Sequence, residues 1–408
     1  MENKKAEKAF IIIPLSGNED EQIKADEIKE LTTSAGAEIY GVICYYVREI
    51  SAATFITSGK LSEIKSMIDF DEVNLVIFDG ELSPSQTLNI SSELDDVKVI
   101  DRTTLILDIF ASNAVTSEGK MQIELAQLKY IYPRLKGKGQ GLSRLGGGIG
   151  TRGPGESRLE TDRRHIRLRI KNLEKKLKEL ETRRGVQTAR REKNECKTVA
   201  LVGYTNTGKS TLLNALTGAE TYTKDKLFAT LDPTLRKLKL KNFEVVVVDT
   251  VGFIRNIPHH IIEAFKSTLE FAANADLILN VADGSGDWKQ QLETTEKTLE
   301  ESKNLPPVIT VINKCDKVDD FSFFPSGAVF ISAKEGAGLD KLKDRIDQAF
   351  SNDFAVLSIE ISYSNMPEFT LLAKTAERVE YNYKDDFVSV SLSVRKIYLS
   401  RFEKYIKN

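Results

Sequence analysis

Residues 198–202, Thr-Val-Ala-Leu-Val, run directly into Gly203-Tyr204-Thr205-Asn206-Thr207-Gly208-Lys209-Ser210, and Thr211 then opens a helix-like stretch. No other feature of the chain limits its fold so tightly. The two glycines let consecutive backbone N–H groups turn toward one point, and the helix start behind them adds a positive dipole end. That arrangement suits phosphate. The backbone of residues 203–208 and Thr211 would wrap the anion, Lys209 would reach the β and γ phosphates, and the Ser210 hydroxyl would ligate Mg²⁺. A strand–loop–helix unit of this kind belongs to a parallel sheet with helices on its faces, so the fold class is α/β.

Three further motifs follow, each behind its own apolar strand. Residues 245–248, all valine, lead into Asp249-Thr250-Val251-Gly252. Asp249 at a strand end suits the outer shell of the same Mg²⁺, and the turn brings the Gly252 N–H to the γ phosphate. This pattern is weak alone; 39 residues beyond Ser210 it is specific. Residues 308–312 end in Asn313-Lys314-Cys315-Asp316. The Asp316 carboxylate accepts from guanine N1–H and the 2-amino group, a donor pair that adenine lacks, so GTP is selected over ATP. Asn313 would brace the loops, the Lys314 stem would lie on the base, and Cys315 is incidental. Residues 329–331 precede Ser332-Ala333-Lys334, where a backbone N–H meets guanine O6. Between the first two motifs, Phe228-Ala229-Thr230-Leu231-Asp232 would border the triphosphate. A switch needs a Mg²⁺-binding threonine here, and Thr230 and Thr234 both qualify by chemistry. The implied reaction is GTP hydrolysis, with Lys209, Gly252 and that threonine at the catalytic centre.

The rest of the 408-residue chain is long enough for two to four domains at roughly 100–200 residues each. Residues 9–15 and 73–78 read as strands and 21–31 and 83–94 as helices, with Ser83-Pro84 a helix start. A small domain with a mostly parallel sheet is expected there. Residues 129–193 carry 20 Lys and Arg against 7 Asp and Glu, a local excess of +13 in a chain whose net charge is −2. Met121, Leu125, Leu128, Tyr132 and Leu135 make one helical stripe, and Ile166, Ile170, Leu173, Leu177 and Leu180 another. The two stripes would close as an antiparallel hairpin. Its tip, residues 136–157, holds nine glycines with Lys136, Lys138, Arg144 and Arg152 against the single acid Glu156. A flexible linker is one reading; a loop that orders on phosphate-rich RNA is the one favoured by the charge. Arg158, Arg163 and Arg164 extend that expected RNA surface. Residues 355–408 read as a small α+β appendage. No stretch approaches the roughly 18 apolar residues of a membrane span, and Cys44, Cys196 and Cys315 are too scattered for a disulfide framework. A cytoplasmic protein is expected, with no DNA partner and no stable membrane insertion.

These residues resemble the HflX family of ribosome-associated GTPases, in the TRAFAC class and the Obg–HflX superfamily, over essentially the whole chain. GYTNTGKST, DKLFATLDPT, DTVGFI and NKCD match its nucleotide motifs. EGKMQIELAQLKYIYPRL, GGGIGTRGPGESRLETDRR and ELSPSQ are the more specific matches. The resemblance implies a P-loop G domain with an N-terminal α/β domain, a helical hairpin arm and a small C-terminal α+β domain. Expected boundaries are 1–112, 113–195, 196–352 and 353–408. It implies a monomer that binds the 50S subunit and its rRNA, the glycine-rich loop reaching toward the peptidyl transferase centre, and that splits stalled or idle ribosomes under stress. It assigns the Mg²⁺ threonine to Thr230.

Phe253 stands where many switch GTPases place a water-orienting glutamine, a substitution the family shares. Slow intrinsic turnover, raised on the ribosome, is the expectation. Asn206 stands where related GTPases hold K⁺ beside the phosphates, and a loop-stabilising role is the alternative. His259 and His260 fit a helix start better than a base, because phosphoryl transfer gives a base little to do. Two other functions remain open: a GTPase of ribosome assembly or RNA modification, and a GTP-gated binding module.

Overall fold

The computed structural model describes residues 6–17, 20–135, 154–193, 197–218, 227–228, 233–241, 243–255, 271–300 and 305–406. Lys136, Lys138, Arg144, Arg152, Ala229, Thr230, Leu231, Asp232, His259 and His260 lie outside the described residues, as does the side chain of Arg158. The chain divides into two compact units: Met1–Ala189 with Lys224–Asp232 and Ile254–Ser267, and Arg190–Thr223 with Pro233–Phe253 and Thr268–Asn408.

The first unit is built on β1 (Lys8–Leu15), β2 (Glu38–Tyr46), β3 (Leu75–Phe78) and β4 (Lys98–Asp101), all parallel in the order β2-β1-β3-β4. The expected parallel sheet is present. β3 is buried at every position and β1 at all but its first, so these strands read as continuous apolar runs instead of alternating. Helices α1 (Glu21–Ser34), α2 (Ser58–Met67), α3 (Pro84–Glu93) and α4 (Arg102–Asn113) complete the domain. Their starts follow local chemistry. Asp20 accepts from the Ile23 N–H, and Asp101 accepts from the Thr104 N–H at 3.0 Å. Ser83 and Gln86 form a reciprocal capping box with Pro84 in the first turn, as the Ser-Pro pair predicts.

Helices α5 (Ser117–Arg134) and α6 (Pro154–Lys193) form the expected arm. Glu124 meets Arg169 in a two-pronged ion pair at 2.6 and 2.8 Å, and the Tyr132 hydroxyl accepts from Arg167. Tyr132, late on α5, meets Arg163 and Arg167, while Glu124 and Lys129, earlier on α5, meet Arg169 and Glu174 farther along α6, so the hairpin is antiparallel. Both predicted stripes are half-buried, with Leu173 fully so. The stripe reading of α5 was incomplete. A second face, Ile123, Ala126 and Tyr130, is buried, because the helix also packs on α3 and α4. The Tyr130 hydroxyl donates to Asp101, and Arg134 lies 3.3 Å over the Tyr130 ring while donating to the Leu82 carbonyl at 2.7 Å.

Residues 227–228 and 254–255 belong to this unit as well. The Leu227 N–H donates to Ser34, Asn113 donates to the Phe228 carbonyl at 2.9 Å, and the Phe228 ring packs 4.5 Å from that of Phe110. Arg102, 8% exposed, donates to Asp79 at 2.6 Å, Glu27 at 2.8 Å and the Arg255 carbonyl at 3.3 Å. A buried guanidinium requires such acceptors, and three separate parts of the chain supply them.

The second unit carries a six-stranded sheet in the order β10-β9-β8-β5-β7-β6. Its strands are β5 (Thr198–Gly203), β6 (Thr234–Lys239), β7 (Glu244–Asp249), β8 (Leu277–Asp283), β9 (Val308–Asn313) and β10 (Val329–Phe330). All pairs are parallel except β6 with β7. Helices α7 (Lys209–Thr217), α8 (Trp288–Glu300) and α9 (Leu339–Phe350) accompany it. One core runs from Val199 and Leu279 through Leu342 and Ile346 to Phe354. Phe354 opens β11 (Phe354–Ser362), which pairs antiparallel with β13 (Phe387–Arg395), itself flanked by β12 (Arg378–Tyr383). The Phe243 ring stacks on Phe354 at 4.1 Å, so the small sheet shares the core of the large one. Helix α10 (Met366–Ala373) and a closing 3₁₀ helix cover the small sheet's apolar face through Phe369 and Phe402. The amphipathic C-terminal end is thus 3₁₀ in form. Among the described residues no helix is long and apolar enough to cross a membrane.

Candidate nucleotide site

The motif residues meet at the carboxyl ends of β5, β7, β9 and β10, where open α/β sheets bind their ligands. β5 ends at Gly203, whose φ of 151° only glycine adopts readily; a Cβ there would lie 2.1 Å from the Val281 carbonyl oxygen. The chain then turns through Asn206, at φ 60°, to Gly208 at the start of α7. Thr207 closes the turn with its hydroxyl on the Tyr204 carbonyl at 3.0 Å.

Lys209 is 6% exposed, and its ammonium donates to the carbonyls of Tyr204 at 2.6 Å and Gly203 at 3.1 Å. Burial pushes its pKa down to about 8, and the Asp249 carboxylate opposes that shift. Ser210 donates to Asp249 Oδ2 at 2.6 Å, so the two expected Mg²⁺-side groups stand together. Thr250 anchors its strand end by donating to the Leu201 carbonyl. Gly252 lies against the loop so closely that a Cβ would sit 2.8 Å from Thr205 Cα and 2.9 Å from Lys209 Nζ. Phe253, 7% exposed, is locked to the loop by two backbone bonds: Thr205 N–H to its carbonyl at 2.7 Å, and its N–H to Gly203 at 3.0 Å. The Thr205 N–H is therefore committed within the protein, and the backbone of Phe253, the residue in the glutamine's position, is tied to the loop.

On the base side, Asn313 is 2% exposed. It donates to the Thr207 carbonyl at 2.8 Å and accepts from the Ala333 N–H at 2.9 Å, tying three motifs together. Asp316 is exposed, and the Ser332 hydroxyl bonded to it holds its carboxyl below the usual range. Lys334 is exposed; Cys315 is a free thiol that burial pushes up. Thr234 opens β6 opposite Asp249. Phe228 is the expected nucleotide contact whose ring and carbonyl are committed to α4. Sequence reasoning missed Asp283, whose carboxylate lies 2.6 Å from the Lys314 ammonium.

Three family models match the chain: a GTP-binding GTPase N-terminal region over residues 22–111, a GTP-binding GTPase middle region over 113–191 and a 50S ribosome-binding GTPase over 198–314. GTPase HflX of Caldanaerobacter subterraneus is 47% identical over 98% of this chain and 94% of its own length. GTPase HflX of Escherichia coli K12 is 40% identical over 90% and 88%. A GTP-binding protein of Sulfolobus solfataricus, solved in complex with GDP, is 26% identical over 85% of this chain and 99% of its own, with a TM-score of 0.46.

Proposed function

The chain belongs to the HflX family of GTPases, and from that premise we propose that it binds the 50S subunit through rRNA and splits stalled or idle 70S ribosomes. GTP hydrolysis is the activity of the family and of this chain. The observation that supports the ribosomal reading is the arm. Residues 129–193 carry the +13 excess, Arg164 and Arg167 on α6 are exposed, and Arg163 is half-buried. A cationic antiparallel hairpin of this kind is a rigid carrier for a glycine-rich tip that meets phosphate. The protein works as a cytoplasmic monomer under stress, with working parts at 1–112, 113–195, 196–352 and 353–408.

At the nucleotide, the backbone of residues 203–208, apart from the Thr205 N–H bonded to Phe253, and of Thr211 wraps the phosphates, and Lys209 places its charge on the β and γ groups. Thr250, Val251 and Gly252 pass beside the γ phosphate, and the Gly252 N–H meets it. The Ser210–Asp249 pair is a hard-oxygen set that fits Mg²⁺, with Thr230 as the third protein group. Mg²⁺, when bound, neutralises charge between the β and γ phosphates. Asn206, at the left-handed turn of the loop, would hold K⁺ beside the phosphates, with stabilisation of the loop as the alternative role. Asp316, Ser332, Ala333 and Lys334 border the guanine, under the Lys314 stem.

Light scattering of 70S particles tests the splitting directly. The signal falls with protein and GTP, and not with a chain lacking residues 137–155. Co-sedimentation with a non-hydrolysable GTP analogue separates the alternatives. Binding only to assembly precursors would favour an assembly GTPase; no ribosomal binding would favour a GTP-gated module.

A further inference from the structure

Lys314 is held at both ends. Its backbone sits at φ 59°, a left-handed conformation that costs a lysine energy and persists only when its surroundings impose it. They do: Asn313 beside it is buried and bonded on both sides, and the Cys315 N–H donates to the Ile331 carbonyl at 3.0 Å. The other end of the side chain is fixed by Asp283, 16% exposed, with the ammonium 2.6 Å from Oδ2.

Asp283 is in turn immobilised. It ends β8, in register with Asn313 on β9. Its Oδ1 accepts from the Ser285 N–H at 2.9 Å and hydroxyl at 2.6 Å. Its own N–H donates to the Gln291 side chain at 2.8 Å, and the following Gly284 N–H donates to the Asn313 carbonyl at 2.8 Å. A carboxylate placed this firmly is built to hold a cation in one position.

We propose that Asp283 is a positioning residue for the guanine base: its ion pair stretches the Lys314 stem into a fixed strap across the site where the purine face lies. The proposal rests on the reading of Lys314 as the residue that covers the base. A free lysine stem loses its rotamer freedom when it packs on a ligand; a stem anchored beforehand has already lost it. The interaction is with the base and is the same for GTP and GDP, so its effect belongs in affinity and not in the chemical step.

Five proteins test this: Asp283→Asn, Lys314→Met, their double variant, Lys314→Ala and the parent, each full length. Affinity for a fluorescent GDP analogue and for a non-hydrolysable GTP analogue is measured by titration, with KM and kcat for GTP. Asparagine keeps the acceptor for Ser285 but removes the charge. Expected is a rise of about tenfold in Kd for both nucleotides and in KM in Asp283→Asn, the order set by one lysine's rotamer entropy, with kcat moving less than about twofold. In the Lys314→Met background, Asp283→Asn has no further effect, because the pair is already broken. An equal loss in both backgrounds would overturn the proposal, as would parental affinity in Asp283→Asn. If Asp283→Asn does not fold, Asp283→Glu reads the same pair: it keeps the charge, and affinity within about threefold of the parent supports the strap while a tenfold loss overturns it. Parental affinity in Lys314→Ala would instead sink the base-covering reading itself, a separate outcome.

Discussion

The buried Lys209 makes nucleotide binding a proton-linked event of predictable sign. Its pKa in this structure is pushed from 10.5 to about 8, roughly 3 kcal/mol against the ammonium. The cause is desolvation, only partly offset by Asp249. A bound polyphosphate supplies the missing counter-charge and returns Lys209 to its cationic form across the neutral range. The charged form is the one that binds, so affinity is full below pH 7 and falls as pH rises through 8. At pH 8 half of the lysine is neutral beforehand, and binding takes up about half a proton per site. Between pH 7 and 8.5 the apparent affinity drops about fourfold. Isothermal titration of GDP at pH 8 in two buffers of different ionisation enthalpy reads the uptake directly. This pH lies above the phosphate titrations and below that of guanine N1. Identical heats in both buffers would refute the reasoning, since they would mean that Lys209 keeps one charge state throughout. The stability of the nucleotide-free protein carries the same signature with its own sign. A lysine depressed in the folded state destabilises the fold at neutral pH, and that penalty is relieved as pH rises from about 8 toward 10.5.

Three further perturbations have definite outcomes. Asp316→Asn removes the charged acceptor for two guanine donors; GTP affinity falls about a hundredfold and xanthosine triphosphate, which offers an acceptor in place of the amino group, becomes the better ligand in a displacement titration. Gly252→Ala puts a Cβ 2.8 Å from Thr205 Cα, so the turn must move away from the loop. Single-turnover hydrolysis then falls on the order of a hundredfold, the cost of misplacing a γ-phosphate contact by about 1 Å. Tyr130→Phe removes the hydroxyl that donates to the 3%-exposed Asp101. Urea unfolding should show a loss of about 1–3 kcal/mol, because the carboxylate stays buried with one donor fewer.

The nucleotide site was legible because its chemistry dictates both residue types and positions. Each motif had to follow an apolar strand and end it, and Gly203, Asp249 and Asn313 are the last residues of β5, β7 and β9. The N-terminal sheet was legible as a type, from the apolar runs that became β1 and β3, but its two edge strands, β2 and the four-residue β4, were not. β2 contains Gly41 and exposes Tyr40 and Tyr46, so it lacks the unbroken apolar run of a strand covered on both sides. In α5 the heptad-like spacing identified the face toward α6. It could not reveal Ile123, Ala126 and Tyr130, because a period of 3.6 marks the strongest stripe and a helix packed on two sides has two.

What stayed hidden shares one property: a partner chosen by topology. Asp101 and Tyr130 are 29 residues apart, and Glu27 and Arg102 are 75 apart. Nothing in local spacing joins them. Asp283 is instructive because half of its signal was present. The six residues before it in β8 are all buried, and the strand ends in an acid beside the motif strands. A charged group terminating such a strand lies at the carboxyl edge of the sheet, where a ligand binds. Sheet order supplies the other half. β8 lies between β5 and β9, so its last residue stands between the phosphate loop and the base-reading motif. An acid there that no motif includes can serve an adjacent cation, and among the described residues Lys314 pairs with it.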